Sequence, residues 1–218
     1  MLTLAEENYI KNIFHLQQTF PEGVSTNAIA EKLETKPSSA TDMVQKLAEK
    51  NLLTYVKYKG TTLTENGKNI AANIIRKHRL WEVFLLEKLH FQWDEVHEIA
   101  EQLEHIQSED LINRLDKFLD FPSVDPHGDP IPDKNGNFKK TEKKLLSKLT
   151  KGQKGICVGV KESGSDFLKY LDKRNIRIGV ELMVLEKDDF DGSMTLQVNN
   201  ENYFITAKIS ENLYVQMT

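Results

Sequence analysis

Cysteine is nearly missing from this sequence: Cys157 is the only one in 218 residues. A single thiol excludes an intramolecular disulfide framework and any Cys₂His₂ or Cys₄ zinc site, and it suits a reducing compartment. It sits in the apolar run Ile156-Cys157-Val158, which reads as core rather than as a nucleophile. Long apolar runs are also absent, since nothing approaches the roughly 20 residues of a membrane span. The opening MLTLAEENY places Glu6 and Glu7 where a secretion signal needs basic and then apolar residues. These absences predict a cytoplasmic protein with no membrane partner. There is no G-x-S-x-G elbow, phosphate loop, dinucleotide fingerprint, internal repeat or low-complexity tract.

What remains is an ordinary globular composition, 39% hydrophobic and 28% charged, in a chain long enough for one or two domains or several small modules. The net charge of −4 conceals an asymmetry. Between Lys32 and Lys68 seven lysines face four acids, whereas between Arg76 and Asp120 six bases face eleven acids, and four of the six histidines lie there. One stretch can face phosphate, and the next is rich in potential metal ligands.

The first segment reads as helix, helix, helix and hairpin. Tyr9, Ile10, Ile13 and Phe14 recur at helical spacing before Pro21-Glu22-Gly23 breaks the chain. Ser25 caps a second helix, and Pro37 suits the first turn of a third with Ala40, Met43, Val44, Leu47 and Ala48 inward. Strands are predicted at Leu52 to Val56 and Thr61 to Leu63. That order is a winged helix-turn-helix. Thr64 caps a long helix to about Leu89, Asp94 caps another through Ile106, and a third follows Ser108; their broad apolar faces suit dimerisation. Phe121 to Asn137, with four prolines and two glycines, reads as a linker. Beyond Gly152 the pattern turns to β, with strands at 156–160, 178–185, 194–198, 203–209 and 213–217 and one helix at 166–171, as in a small barrel. The expected domains are 1–73 (DNA binding), 74–140 (helical metal-binding and dimerisation, with the linker) and 148–218 (the barrel).

Two constellations carry chemistry. His97, Glu101, Glu104 and His105 stand at i, i+4, i+7 and i+8, and His78 with Glu82 forms a second i, i+4 pair on the preceding helix. Ionisable groups so crowded repel unless something bridges them, and nitrogen and oxygen donors of this kind suit Mn²⁺, Fe²⁺, Co²⁺ or Zn²⁺. The alternative is a solvated acidic face with incidental histidines. The second constellation is the outward face of the third helix, Lys36, Ser38, Ser39, Thr41, Asp42 and Lys46, with Lys57 and Lys59 at the hairpin tip. Such residues contact phosphates and base edges. His97-Glu98-Ile99-Ala100-Glu101 resembles a metalloprotease helix, but Glu101 stands where the second histidine would be. A metal-dependent hydrolase and a metal-storage module are therefore the rival readings. Storage has no use for the third-helix face, and a hydrolase needs an open coordination position beside a cleft.

Several runs together resemble the diphtheria toxin repressor and manganese transport regulator family: Glu7-Asn8-Tyr9-Ile10, the stretch from Lys36 to Leu47, Arg76-Lys77-His78-Arg79-Leu80-Trp81-Glu82, Val96 to His105, and Asp125-Pro126-His127-Gly128-Asp129-Pro130-Ile131-Pro132. A looser likeness in Asp166-Phe167-Leu168 and Ile176-Arg177-Ile178-Gly179 extends it to the family's C-terminal SH3-like domain. The resemblance implies a mainly α fold with a small β part: a winged helix-turn-helix, a helical dimerisation domain and an SH3-like barrel. It further implies a homodimer, not an enzyme, that binds double-stranded operator DNA when loaded with divalent metal, represses metal-uptake genes and takes no small organic substrate. By the same resemblance His78, Glu82 and His97 form one metal site, Glu101, Glu104, His105 and Asn8 the other, and Glu162 and Asp166 lie near the SH3-domain ligands. Two departures stand out: Asn8 occupies a position where manganese members carry Asp and iron members Met, and Lys11 replaces a Glu ligand of manganese regulators. Two ions per subunit are expected. With oxygen and imidazole donors and no thiolate, Mn²⁺ is the first choice and Fe²⁺ the second.

Overall fold

The structure is a computed structural model that describes residues 2–56, 59–139 and 142–218. It divides into two compact units. The first comprises Met1–His78, Glu101–Asn113 and Pro132–Phe138, and the second Arg79–Ala100, Arg114–Ile131 and Lys139–Thr218.

The first unit opens with α1 (Leu4–Thr19), started by a capping box: Thr3 Oγ1 accepts from the Glu6 N–H at 3.3 Å while Glu6 Oε2 accepts from the Thr3 N–H at 2.9 Å. Next come α2 (Thr26–Lys32), capped by Ser25, and α3 (Pro37–Glu49), which begins on proline where no amide donor is needed. Ala40, Val44 and Leu47 of α3 have no exposed surface and pack with Tyr9, Ile10, Ile13, Val24 and Ile29 in one core. Strands β1 (Leu53–Val56) and β2 (Gly60–Leu63) pair antiparallel, Leu53 opposite Leu63 and Val56 opposite Gly60. Gly60 is required there: its φ is +93° and a Cβ would meet the Val24 carbonyl oxygen at 2.7 Å. The expected helix, helix, helix, hairpin order is thus present, and Lys57 at the hairpin tip lies outside the described residues.

Three further helices follow, α4 (Glu65–Glu87), α5 (Val96–Leu103) and α6 (Glu109–Phe118). Thr64 does cap α4, its hydroxyl accepting from the Gly67 N–H at 3.1 Å. Asp94 does not cap α5; its carboxylate takes Ser165 Oγ at 3.0 Å and Lys169 Nζ at 3.3 Å. The C-terminus of α5 also stops early, because Ile106 N–H bonds to Leu103 C=O at 3.1 Å in a tightened turn.

The second unit is built on a six-stranded antiparallel sheet. Its strands are β3 (Lys144–Leu145), β4 (Lys154–Val160), β5 (Glu181–Lys187), β6 (Met194–Val198), β7 (Glu201–Ile205) and β8 (Leu213–Met217), in the order β3-β8-β4-β5-β6-β7. Helix α7 (Ser165–Asp172) contributes Leu168 and Leu171 to a core with Leu146, Cys157, Leu182, Val184, Leu196 and Val215. The predicted strand from 203 to 209 ends at Ile205, where Thr206 leads into the short helix α8 (Ala207–Ser210). The proline-rich stretch holds a closed turn in which Val124 bridges Pro130 and Asp125 Oδ1 accepts from the His127 and Asp129 N–H groups at 2.8 and 3.0 Å.

Candidate metal centre

In the first unit the charged residues of α1 meet the segment that follows α5. Glu104, placed by the tight turn rather than by a continued helix, has no exposed surface. Its Oε2 lies 2.6 Å from His78 Nδ1, and both oxygens accept from Lys11 Nζ, at 2.7 and 2.9 Å. Lys11 Nζ also donates to Glu101 Oε1 at 2.6 Å. His105 lies between two carboxylates, its Nδ1 2.6 Å from Glu7 Oε2 and its Nε2 3.9 Å from Glu104 Oε1, and Gln107 Nε2 donates to Glu7 Oε1 at 2.7 Å. Burial lowers the pKa of Lys77, against which the charges of Glu7 and Glu104 push it up. Asn8 Oδ1 is buried and accepts no hydrogen bond among the described residues. An orphaned amide oxygen on the same helix as Glu7 and Lys11, which meet His105 and Glu104, is donor chemistry that fits a divalent ion.

The neighbour of Asn8 and Glu7 on α1 faces the other way. Glu6, wholly buried, takes Lys50 Nζ at 2.7 Å and Lys46 Nζ at 3.0 Å, both from the C-terminal end of α3. The Lys50 hydrogen bond, the Thr3 N–H and then Lys46 hold its carboxyl at about 2, well below the usual range.

In the second unit Glu82, Asp125 and His127 are all buried and offer ligand atoms within 4.8 Å of one another. His127 is fixed by three contacts: Nε2 donates to the Trp93 carbonyl at 2.9 Å, the ring stacks on Trp93, and its own carbonyl accepts from Val160 N–H at 2.9 Å. Its Nδ1 lies 3.6 Å from Glu82 Oε1. Burial pushes the His127 pKa down, but the hydrogen bond and charge of Glu82, with Asp125 and the Trp93 carbonyl, reverse this and raise it to about 9. Asp125 is raised to about 6, by burial first and by Glu82 second, with the Arg79 guanidinium 3.3 Å away opposing them. Gly128 secures the turn, since its φ is +84° and a Cβ would lie 2.0 Å from the Val158 carbonyl oxygen. His97 Nδ1 is 3.3 Å from the same Glu82 Oε1.

The sequence-stated ligands therefore fall as follows. Glu101 and Glu104 gather around Lys11, with His78 on Glu104; His105 pairs with Glu7, and Asn8, half-buried with its Oδ1 enclosed, follows Glu7 in sequence. Glu82 gathers His97 and also Asp125 and His127. Glu162 and Asp166 are exposed, lining a cavity of about 510 Å³ with Phe167, Tyr170 and Ile209, and among the described residues they join no group of three potential ligands. Sequence spacing missed Glu7, Asp125 and His127 as site residues. Glu7 meets His105 across 98 positions, and His127 meets Glu82 only through the folded turn, so no local period reports either.

On α3, Ser38, Ser39, Asp42, Lys36 and Lys46 are exposed, as is Lys59 at the hairpin. The Thr41 hydroxyl is turned back to the Pro37 carbonyl at 2.9 Å. This leaves the outward face open along its first two turns. Among the described residues no helix is long and apolar enough to cross a membrane.

Three family models match in succession: the iron dependent repressor N-terminal DNA binding domain over residues 1–61, the iron dependent repressor metal binding and dimerisation domain over 64–133, and the FeoA domain over 144–217. The iron-dependent repressor IdeR of Mycobacterium tuberculosis is 36% identical over 128 residues, which spans 58% of this chain and 54% of that relative's length. The HTH-type regulator MntR of Oceanobacillus iheyensis is 36% identical over 122 residues, covering 81% of that protein. A solved manganese-dependent transcriptional repressor in complex with manganese superposes with a TM-score of 0.84 at 30% identity, over 98% of this chain and all of that one. These relatives are repressors rather than enzymes, and with the helical DNA-binding segment, the carboxylate and imidazole clusters and the FeoA sheet in hand, the chain belongs to the metal-dependent transcriptional repressors that include the diphtheria toxin repressor and the manganese transport regulator.

Proposed function

We propose that this protein acts in the cytoplasm as a homodimeric repressor that binds operator DNA when it carries divalent metal, and so controls manganese or iron uptake genes. The observation that carries the reading lies in α1. Glu6 grips Lys46 of α3 and Lys50 at its C-terminal cap, while Glu7, the next residue, reaches His105. Successive residues on a helix point about 100° apart, so one helix joins the DNA-facing element to the candidate ligand cluster. An ion held by Asn8, Glu104 and His105, with Glu7 and Glu101 beside them, would fix the setting of α1 and with it α3.

A second ion is assigned to Glu82, His97, Asp125 and His127. The metal supplies positive charge that offsets buried carboxylate repulsion; the chain supplies the geometry. On α3, Ser38, Ser39 and Asp42 reach base edges, while Lys36, Lys46, Lys57 and Lys59 reach phosphates, with the two reading helices of a dimer about 34 Å apart or a multiple of it. Mn²⁺ is the first choice and Fe²⁺ the second, because the donors are oxygen and imidazole without thiolate. Fluorescence anisotropy on a promoter library with Mn²⁺, Fe²⁺, Zn²⁺ or chelator tests this. Affinity should rise at least tenfold with Mn²⁺ over chelator, and binding indifferent to metal overturns it.

A further inference from the structure

Lys11 is an anomaly in a cluster read as a metal site. Its ammonium does not point to solvent: the side chain is 7% exposed and makes three charge-assisted contacts of 2.6 to 2.9 Å, with Glu101 and with both oxygens of Glu104. A divalent ion seeks the same lone pairs. An ammonium and a metal held by one carboxylate repel each other at a few ångströms, in surroundings where solvent screens little. They are alternative occupants of Glu104.

We propose that Lys11 is a tethered counter-cation that an incoming divalent metal must displace from Glu104, so that Lys11 sets how much metal activates the protein. The inference rests on the reading of Glu104 as a metal ligand. It also gives α1 a defined exchange. Asn8 and Lys11 stand three residues apart, one above the other on a single helix face. Without metal, Lys11 is the α1 residue anchored to Glu101 and Glu104. With metal, Lys11 leaves and the orphaned Asn8 Oδ1 becomes the anchor, about 4.5 Å along the helix axis. The switch changes which turn of α1 is held rather than whether α1 is held. A neutral side chain at position 11 would take the ammonium charge away from Glu101 and Glu104 in the empty protein and leave their lone pairs more open to metal. Its effects on the empty state and on metal affinity should therefore run in opposite directions.

The test uses the full chain as wild type, Lys11→Met, Lys11→Gln, Lys11→Arg and Glu104→Gln. Mn²⁺ affinity is measured by competition with a fluorescent chelator, and thermal unfolding is followed in EDTA. The binding event abolished by Glu104→Gln is the one compared. Lys11→Met and Lys11→Gln should bind Mn²⁺ at least tenfold more tightly, about 1.4 kcal/mol, and unfold at lower temperature in EDTA. Lys11→Arg should stay within about threefold of wild type, because the fixed charge remains. Lys11→Gln keeps an amide donor for Glu104, so it serves if Lys11→Met does not fold without metal. If Glu104→Gln loses binding while both neutral variants bind Mn²⁺ no more tightly than wild type, the displacement proposal fails and the metal site stands. If all five proteins bind Mn²⁺ alike, Glu104 holds no metal and both readings fail.

Discussion

Replacing Glu104 with alanine should unfold the empty protein more readily, before any question of metal or DNA arises. Glu104 has no exposed surface, and its carboxylate is the common partner of Lys11 and His78. Removing one side of a buried ion pair typically costs 3–5 kcal/mol, because the other charge is left without compensation. Lys11 keeps one contact, to Glu101, whose side chain is 37% exposed, so the lower end of that range, about 3 kcal/mol, is expected. Against a total of roughly 5–15 kcal/mol that is a large share.

Replacing the pair together should behave differently. Lys11→Met with Glu104→Leu removes both charges and keeps volume, and buried pairs exchanged for apolar groups are commonly neutral or stabilising. The assay is urea unfolding in EDTA followed by circular dichroism, comparing midpoints and slopes. Refutation would be a loss under about 1 kcal/mol for Glu104→Ala, or a double variant as unstable as the single one. Glu104→Ala would lose DNA binding through its fold as well as through its lost ligand, so Glu104→Gln is the cleaner probe of metal.

The Glu6 carboxyl, held at about 2 against an ordinary 4.5, stabilises the fold fully above 4.5 and loses that contribution as pH falls toward 2; urea midpoints should therefore drop across that window in wild type and change less in Glu6→Gln. Lys59→Ala should lower the salt slope of DNA binding by about one, whereas Lys46→Ala should lower it less because Glu6 already shares its ammonium, with anisotropy titrations at several salt concentrations as the readout. Gly128→Ala, which would drive a Cβ to 2.0 Å from the Val158 oxygen, should cost more than about 2 kcal/mol in urea unfolding. Asn8→Asp should tighten Mn²⁺ binding in chelator competition by adding a charged ligand, and an unchanged affinity would remove Asn8 from the site.

The hydrophobic periods of α1 to α3 and the alternation of β4, β5, β6 and β8 were legible because each of these elements buries one face whose spacing the chain itself records. Val44 and Leu47 in α3 and Leu196 and Val198 in β6 are examples. Helix ends were less legible. Asp94 looks like a cap but is drawn to Lys169, a contact 75 positions away by number, and α5 ends before Glu104 although the apolar period continues. The proposed ligand cluster was half legible: His97, Glu101, Glu104 and His105 lie close in sequence, yet the turn at Leu103 sends Glu104 to Lys11 and His78 and sets His105 between Glu7 and Glu104. Lys11 in sequence is only a residue out of place; its occupation of the carboxylates is a tertiary fact.

Why one helix should carry both the grip on α3 and the proposed ligands follows from the free energy a switch requires. Moving an equilibrium from 1:99 to 99:1 takes a differential of about 5.5 kcal/mol, and a ligand that binds both settings equally moves nothing. An ion near Glu104 and His105 alone would stabilise the segment after α5 and leave α3 indifferent. The preference arises only if some ligand sits on an element tied to α3, and α1 is that element, with Glu6 joined to Lys46 and Lys50 on one side and Glu7, Asn8 and Lys11 on the other. The same arrangement gives Lys11 its leverage. A cation that holds α1 to Glu104 in the empty protein reduces the difference between the two settings, so the metal must supply the preference net of what Lys11 already provides. Asn8, whose side-chain oxygen accepts no hydrogen bond among the described residues, would be the residue through which that net preference is expressed.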